Sequence, residues 1–155
     1  MCSLPLRLSH RFEWLVSFDN NILDHVSPHR SFSYTLAVKH KAYAPKGYAR
    51  VFMIEVEDCS APNTALQWLF DELVEDNDLI VCIHIADDTF RLTAEAHKEE
   101  ARLLLESIKA KVPENLALSI ILEFAGGAVT HNYFMSMVRG YDFLNLSFNL
   151  SISSN

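Results

Sequence analysis

Four acidic residues lie where two predicted strands end. Glu57 and Asp58 follow one apolar run (51–56), and Asp87 and Asp88 follow the next. The carboxyl ends of parallel strands meet at one edge of a sheet, which is where such folds bind ligands. Carboxylates at that edge can bind Mg²⁺ or exchange protons with a substrate. Asp87 and Asp88 are a poor acid–base pair, however, because adjacent strand residues point to opposite faces, and a solvated turn is favoured.

The other reactive side chains predict no catalytic residue and no metal site. Among the seven histidines, His25 and His29 have the spacing of a helical metal pair, but Pro28 disrupts a helix there. The three cysteines have no metal or disulfide spacing, which favours a reducing compartment. Cys82 lies within an apolar run, and we interpret it as a small core residue. Ser60 lacks the strained turn of a nucleophile, so we interpret it as a helix cap.

The hydrophobic pattern predicts strands that alternate with helices. Apolar runs at 51–56, Leu79–Ala86 and 117–124 predict three strands, while 62–75 and Ala94–Lys111 have helical spacing. The residues at core spacing are Ala65, Leu66, Leu69 and Leu73 in the first helix and Ala101, Leu104, Leu105 and Ile108 in the second, which Pro113 stops. Two right-handed strand–helix–strand units give an α/β parallel sheet with the strand order 3-2-1. The second strand is apolar almost throughout, which predicts burial on both of its faces.

Two flanking segments alternate between apolar and polar residues and predict further strands. Residues 31–40 predict a strand with one wet face, suited to a sheet edge or to a partner chain. Residues 144–152 predict a fourth strand beside the first, which extends the order to 3-2-1-(4). Residues 1–30 lack sustained periodicity and predict a mostly unordered extension before a single α/β domain at 31–155.

Composition excludes two classes of partner. Half of the 155 residues are apolar, which is enough for one domain with a core. The net charge is −7 without a basic stripe, and this argues against nucleic-acid binding. The apolar stretch 4–18 is short and is interrupted by Arg7, Arg11 and Glu13, so it predicts neither a signal peptide nor a membrane span. We expect a protein of the cytoplasm or nucleus.

Several short stretches, in matching order and spacing, resemble the universal stress protein (Usp) domain, particularly its fungal forms. They are SFSYTL at 31–36, KHK at 39–41, ALQWL at 65–69, DEL at 71–73, IVC at 80–82 and LEFA at 122–125. The similarity covers residues 31–129. It implies a flavodoxin-like (Rossmann-like) fold of five strands and frequent dimers. It also implies ATP or AMP binding in some members, without an established catalytic reaction.

The resemblance also implies cofactor-binding residues. Nucleotide-binding relatives have an aspartate near the adenosine at the end of the first strand, and Glu57 matches it, with Asp58 beside it. Ile85 corresponds to the position where the second strand offers its backbone to adenine. Gly127 matches the glycine that opens the third helix, and we expect a helix to begin near Val129.

The glycine segment that holds the triphosphate in these relatives has no counterpart here. That segment has the form G-x2-G-x9-G followed by Ser or Thr, whereas the four glycines of this chain do not have that spacing: Gly47, Gly126, Gly127 and Gly140. Backbone N–H groups bind phosphate closely where glycine leaves out the Cβ. Carboxylates at the strand ends would also repel a polyphosphate. We therefore expect weak or lost ATP binding, and an incomplete or altered C-terminal part after about residue 129.

Three functional hypotheses follow. The first is a non-catalytic stress-response or regulatory domain with weak or lost ATP binding. The second is an adenine-nucleotide (AMP or ATP) binding module that keeps the adenosine half of the site through Glu57, Ile85 and Gly127. The third and least favoured is an ATP hydrolase, since a fold alone does not confer chemistry. We also expect self-association, as a homodimer or otherwise, because an incomplete sheet leaves an open edge.

Overall fold

The computed structural model describes residues 11–20, 31–45, 47, 49–58, 61–86 and 94–127. They form five strands and two helices. In chain order these are β1 (Phe12–Asn20), β2 (Ser31–His40), β3 (Val51–Glu55), α1 (Thr64–Glu72), β4 (Leu79–Ala86), α2 (Ala94–Lys111) and β5 (Ser119–Gly127).

The five strands form one mixed sheet in the spatial order β1-β2-β5-β4-β3. The three strands predicted as the α/β core pair in parallel, β3 with β4 and β4 with β5. The predicted α/β class with a parallel core is therefore confirmed. The strand predicted beside β3, at 144–152, and the helix start near Val129 lie outside the described residues.

Strand β1 was not predicted from the sequence. It lies within the range 1–30 that we expected to be mostly unordered, and it pairs antiparallel with β2. Two register shifts, between Trp14 and Val16 and between Val16 and Asp19, interrupt the pairing. An extra residue at such an irregularity breaks the two-residue alternation by which strands are recognised in a sequence.

Contacts with α2 hold the start of β1. The Arg11 guanidinium donates to the carbonyls of Val112 and Pro113 at 3.4 Å each, just past the end of the helix. The Lys109 ammonium lies 5.8 Å from the centre of the Phe12 ring and 6.0 Å from that of Trp14. Both cations lie near the helix C-terminus, where the helix dipole favours positive charge.

Strand β2 is an interior strand, so its predicted place at a sheet edge is wrong. It pairs with β1 on one side and, from Ser31 to Lys39, with β5 on the other. The Thr35 hydroxyl on its polar face donates to the buried Glu123 carboxylate of β5 at 2.7 Å. The polar face that we expected to contact solvent is therefore partly occupied by a hydrogen bond between neighbouring strands.

Helix α2 has the predicted bounds. Its predicted apolar stripe is fully buried: Ala101, Leu104, Leu105 and Ile108. Pro113 follows its last turn, as expected of a residue that cannot continue a helix.

Helix α1 is shorter than predicted, and it is rotated relative to the predicted stripe. Leu66 and Leu69 are buried as predicted. Ala65 and Leu73, which we also expected in the core, are exposed, Leu73 at 39%, and Phe70 is buried instead. Trp68 is 57% exposed. The chain leaves the helix at Glu72, so Leu73 no longer lies on the helical face that contacts the sheet.

One hydrophobic cluster joins the helices to the sheet through Ile80 and Cys82 of β4 and the facing residues of β2 and β5. The alternate residues Val81 and Ile83 point to the opposite face, and both are also fully buried. The prediction that β4 is buried on both faces is therefore confirmed. Neither of the two described helices combines the length and the apolar character that crossing a membrane requires.

Candidate functional site

The structure brings three of the predicted ligand residues to one edge of the sheet. In β4 and β5, Ile85 pairs with Ala125, and the next residues, Ala86 and Gly126, also pair. The N–H of Val56, just past β3, donates to the carbonyl of Ile83 at 2.8 Å. Glu57, Ile85 and Gly127 thus follow one another along the carboxyl-terminal edge, although their role in binding stays a prediction.

Two of the four acidic residues predicted at this edge lie within the described residues. Glu57 and Asp58 are exposed in the loop between β3 and α1. Asp87 and Asp88 lie outside the described residues. Among the described residues, the histidine, cysteine and acidic side chains form no group of three that could hold a metal ion.

Gly127 ends a strand that is longer than predicted. Strand β5 continues through Gly126 and Gly127, and these residues pair with Phe32 and Ser31 of β2. We expected the strand to end at Phe124 and the following residues to lead into a helix near Val129. Glycine also weakens a strand interior. The long antiparallel pairing with β2 overrides that local preference.

Two side chains bind the main chain on either side of Glu57. His84 Nδ1 lies 2.8 Å from the Val56 carbonyl oxygen, and the Glu57 N–H donates to Asn63 Oδ1 at 2.9 Å. Asn63 Nδ2 approaches the carbonyls of Glu57 and Asp58 at 3.4 and 3.5 Å. Both side chains are buried.

Neither His84 nor Asn63 was predicted as part of the site. Asn63, rather than the predicted Ser60, is the N-cap of α1, with φ 44° and ψ 49° in the left-handed region. Its side chain does not cap the helix. The available signal was the residue type, because asparagine tolerates this conformation better than most residues.

Comparison with known proteins finds a curated protein with a similar sequence. A universal stress protein A family protein of Schizosaccharomyces pombe is 35% identical over 101 residues, which are 62% of this chain and 33% of that relative. This similarity supports a universal stress protein-like domain in the chain. It spans about a third of the length of the curated relative it matches. No protein-family model matches the chain, and no solved structure does.

A cleft of about 620 Å³ lies at the opposite, amino-terminal edge of the parallel strands. Arg50 and Asp78 line it. The Arg50 guanidinium donates to both Asp78 carboxylate oxygens, at 3.2 and 2.7 Å, and to the Leu73 carbonyl at 3.0 Å. The hydrogen bond to Asp78 raises the pKa of Arg50, and burial together with the Asp78 charge raises that of Tyr43.

The acids of that cleft bind the domain's own main chain. Asp78 accepts the N–H of Glu75 at 2.7 Å, and Asp76 accepts that of Ala117 at 2.8 Å. This edge joins the loops before β4 and β5 and is remote from Glu57 and Ile85. We therefore assign the cleft a structural role.

Cys82 lies between the two edges, in the middle of β4. It is fully buried, and burial raises the pKa of its thiol to about 12. The thiol is then protonated at neutral pH and is a poor nucleophile. The interpretation of Cys82 as a small core residue is confirmed.

Proposed function

We propose that the chain is a non-catalytic universal stress protein-like domain with a stress-response or regulatory role, in which ATP binding is weak or lost. The composition of the carboxyl-terminal edge carries this proposal. Glu57 and Asp58 present negative charge there, and the glycine pair at the edge belongs to a paired strand. The 155 residues also lack the glycine segment that holds phosphates in nucleotide-binding relatives.

Isothermal titration with ATP and Mg²⁺ tests the loss of binding. We expect no saturable heat with the full chain. Micromolar affinity would contradict the proposal. We also expect phosphate release from ATP at the rate of buffer alone, and faster turnover would favour the hydrolase alternative.

A second candidate function is adenosine recognition that leaves the phosphates in solvent. The main chain beside Glu57 supports it, because side chains of two other elements hold that segment without any ligand. If adenosine carries the affinity, AMP and adenosine raise the melting temperature equally. If neither ligand changes it, this candidate fails.

The proposal extends to fold, assembly and compartment. We propose a flavodoxin-like arrangement in which residues 144–152 pair with β3, the last strand in the described order.

Trp14 and Leu15 of β1 and Trp68 of α1 are exposed, which supports self-association, as a homodimer in the simplest case. Light scattering at tens of micromolar tests this, and a clean monomer would contradict it. The cysteine spacing supports the cytoplasm or nucleus.

A further inference from the structure

One peptide group at the candidate site is hydrogen-bonded at both of its polar ends by side chains. It is the link between Val56 and Glu57. Its carbonyl oxygen lies 2.8 Å from His84 Nδ1, and its N–H donates to Asn63 Oδ1 at 2.9 Å. The two side chains come from different elements, β4 and the start of α1. We call this arrangement the Val56–Glu57 clamp.

The His84 side of the clamp is packed against β5. His84 is 8% exposed, and its ring stacks on Phe124, with the ring centres 5.1 Å apart and the planes at 27°. A carbonyl oxygen only accepts hydrogen bonds, so His84 Nδ1 carries the hydrogen of this bond. The clamp thus joins the ends of all three parallel strands through a single ring.

The Asn63 side of the clamp depends on an unusual backbone conformation. Asn63 is 9% exposed and has φ 44°, which few residues other than glycine adopt easily. Its amide binds the main chain of Glu57 rather than the first turn of α1. A residue that would otherwise stabilise the helix therefore serves the loop that carries Glu57.

We propose that His84 and Asn63 are positioning residues that hold the Glu57 carboxylate ready to accept hydrogen bonds from the vicinal hydroxyl groups of a nucleoside. Acidic residues bind ribose hydroxyls in this way at the strand ends of related α/β sheets. A loop ordered before binding loses less conformational entropy on binding. This inference rests on the second candidate function, adenosine recognition.

The test compares two asparagines with the same backbone strain. Asn63→Gly keeps the left-handed conformation and removes only the clamping side chain. Asn77→Gly is the matched control: Asn77 has φ 71°, and its Oδ1 accepts the Ala44 N–H at 2.9 Å at the opposite edge. His84→Phe retains a ring for the stack on Phe124, and it removes the other half of the clamp without touching Asn63.

Amide hydrogen exchange of the full chain without ligand tests the clamp itself. We expect Glu57 amide exchange to become about tenfold faster in Asn63→Gly, the effect of losing one hydrogen bond, and to stay unchanged in Asn77→Gly. Asn63→Asp keeps the acceptor oxygen and should restore most of the protection. Unchanged exchange in Asn63→Gly would overturn the clamp.

Titration with adenosine and with free adenine tests its purpose. We expect Asn63→Gly and His84→Phe to weaken adenosine binding about tenfold, with little change for adenine, which lacks the ribose hydroxyls. Equal losses for both ligands would refute positioning of Glu57. If the wild-type chain binds no adenosine, the adenosine-recognition function fails, and so does the proposal that Glu57 binds a nucleoside. The hydrogen-exchange measurement still decides whether the clamp exists.

Discussion

The two edges of the parallel strands are held together by different chemistry. At the amino-terminal edge, the buried Asp78 carboxylate binds Arg50 and the Glu75 N–H at 2.7 Å each. At the carboxyl-terminal edge, the side chains of His84 and Asn63 bind the main chain beside Glu57. The first edge depends on a buried charge, whereas the second uses an imidazole and an amide.

This difference shows that acidic residues and a cleft do not by themselves identify a functional site. The amino-terminal edge has both, but Asp76 and Asp78 bind main-chain N–H groups of their own loops. At the carboxyl-terminal edge the main chain is held by other residues, and Glu57 remains exposed. The candidate site is the edge whose described acids, Glu57 and Asp58, are exposed.

The largest loss of stability is expected from a substitution at the amino-terminal edge. Asp78→Ala removes a 4% exposed carboxylate that accepts from Glu75 and Arg50, so we expect the free energy of unfolding to fall by about 2 kcal/mol. Urea denaturation measures the change. Glu75→Gln, at the exposed end of the same network, is the control and should change little. Equal losses in both variants would mean that the Asp78 carboxylate does not hold this edge.

A smaller effect is expected at the carboxyl-terminal edge. His84→Phe keeps an aromatic ring beside Phe124 but removes the hydrogen bond to the Val56 carbonyl, which should cost about 1 kcal/mol in urea denaturation. If the edges are independent, the losses of His84→Phe and Asp78→Ala add within about 0.5 kcal/mol in the double variant. A clear departure from additivity would show that the two edges are coupled.

The smallest loss of stability comes from Cys82, which lies at neither edge, and it occurs only at alkaline pH. Burial raises the pKa of Cys82 from 9.0 to about 12, so between these values the unfolded chain loses the proton and the folded chain keeps it. Stability is therefore fully present below pH 9 and falls as the pH rises toward 12. At pH 9.5 we expect a loss of less than about 1 kcal/mol relative to pH 7, which Cys82→Ala should lack.

The comparison of wild type with Cys82→Ala isolates this thiol. Tyr43, whose pKa is also raised, contributes a loss of the same sign in both chains and cancels. The same pH dependence in both chains would show that Cys82 does not titrate on unfolding.

Local patterns in the sequence predicted the central elements well. The continuous apolar run of β4 indicated a strand buried on both faces, and the stripe of α2 with Pro113 after it located that helix. Each of these signals lies within one element, and each follows directly from which of its residues are buried. Helix α1 was predicted less well, because its early end at Glu72 left Leu73 outside the apolar face.

The candidate site was only half predictable. The end of an apolar run is visible in a sequence, and this located Glu57, whereas Ile85 and Gly127 were implied only by the resemblance to universal stress proteins. His84 looked like one more residue of a buried strand, since nothing local shows that its ring meets the carbonyl of Val56, 28 positions away. Asn63 was not singled out, because the sequence does not show that its amide binds the main chain of the loop before the helix.

The sequence by itself determined that β3, β4 and β5 form a parallel α/β core, since apolar runs and helical stripes record burial within each element. Only the tertiary structure decided that β1 and β2 extend this core through antiparallel pairing, that β5 continues through Gly127, and that two distant side chains hold one peptide beside Glu57. These features depend on pairing between residues far apart in the chain. The periodicity of a segment can show that it is a strand, but it does not show which distant residues it pairs with.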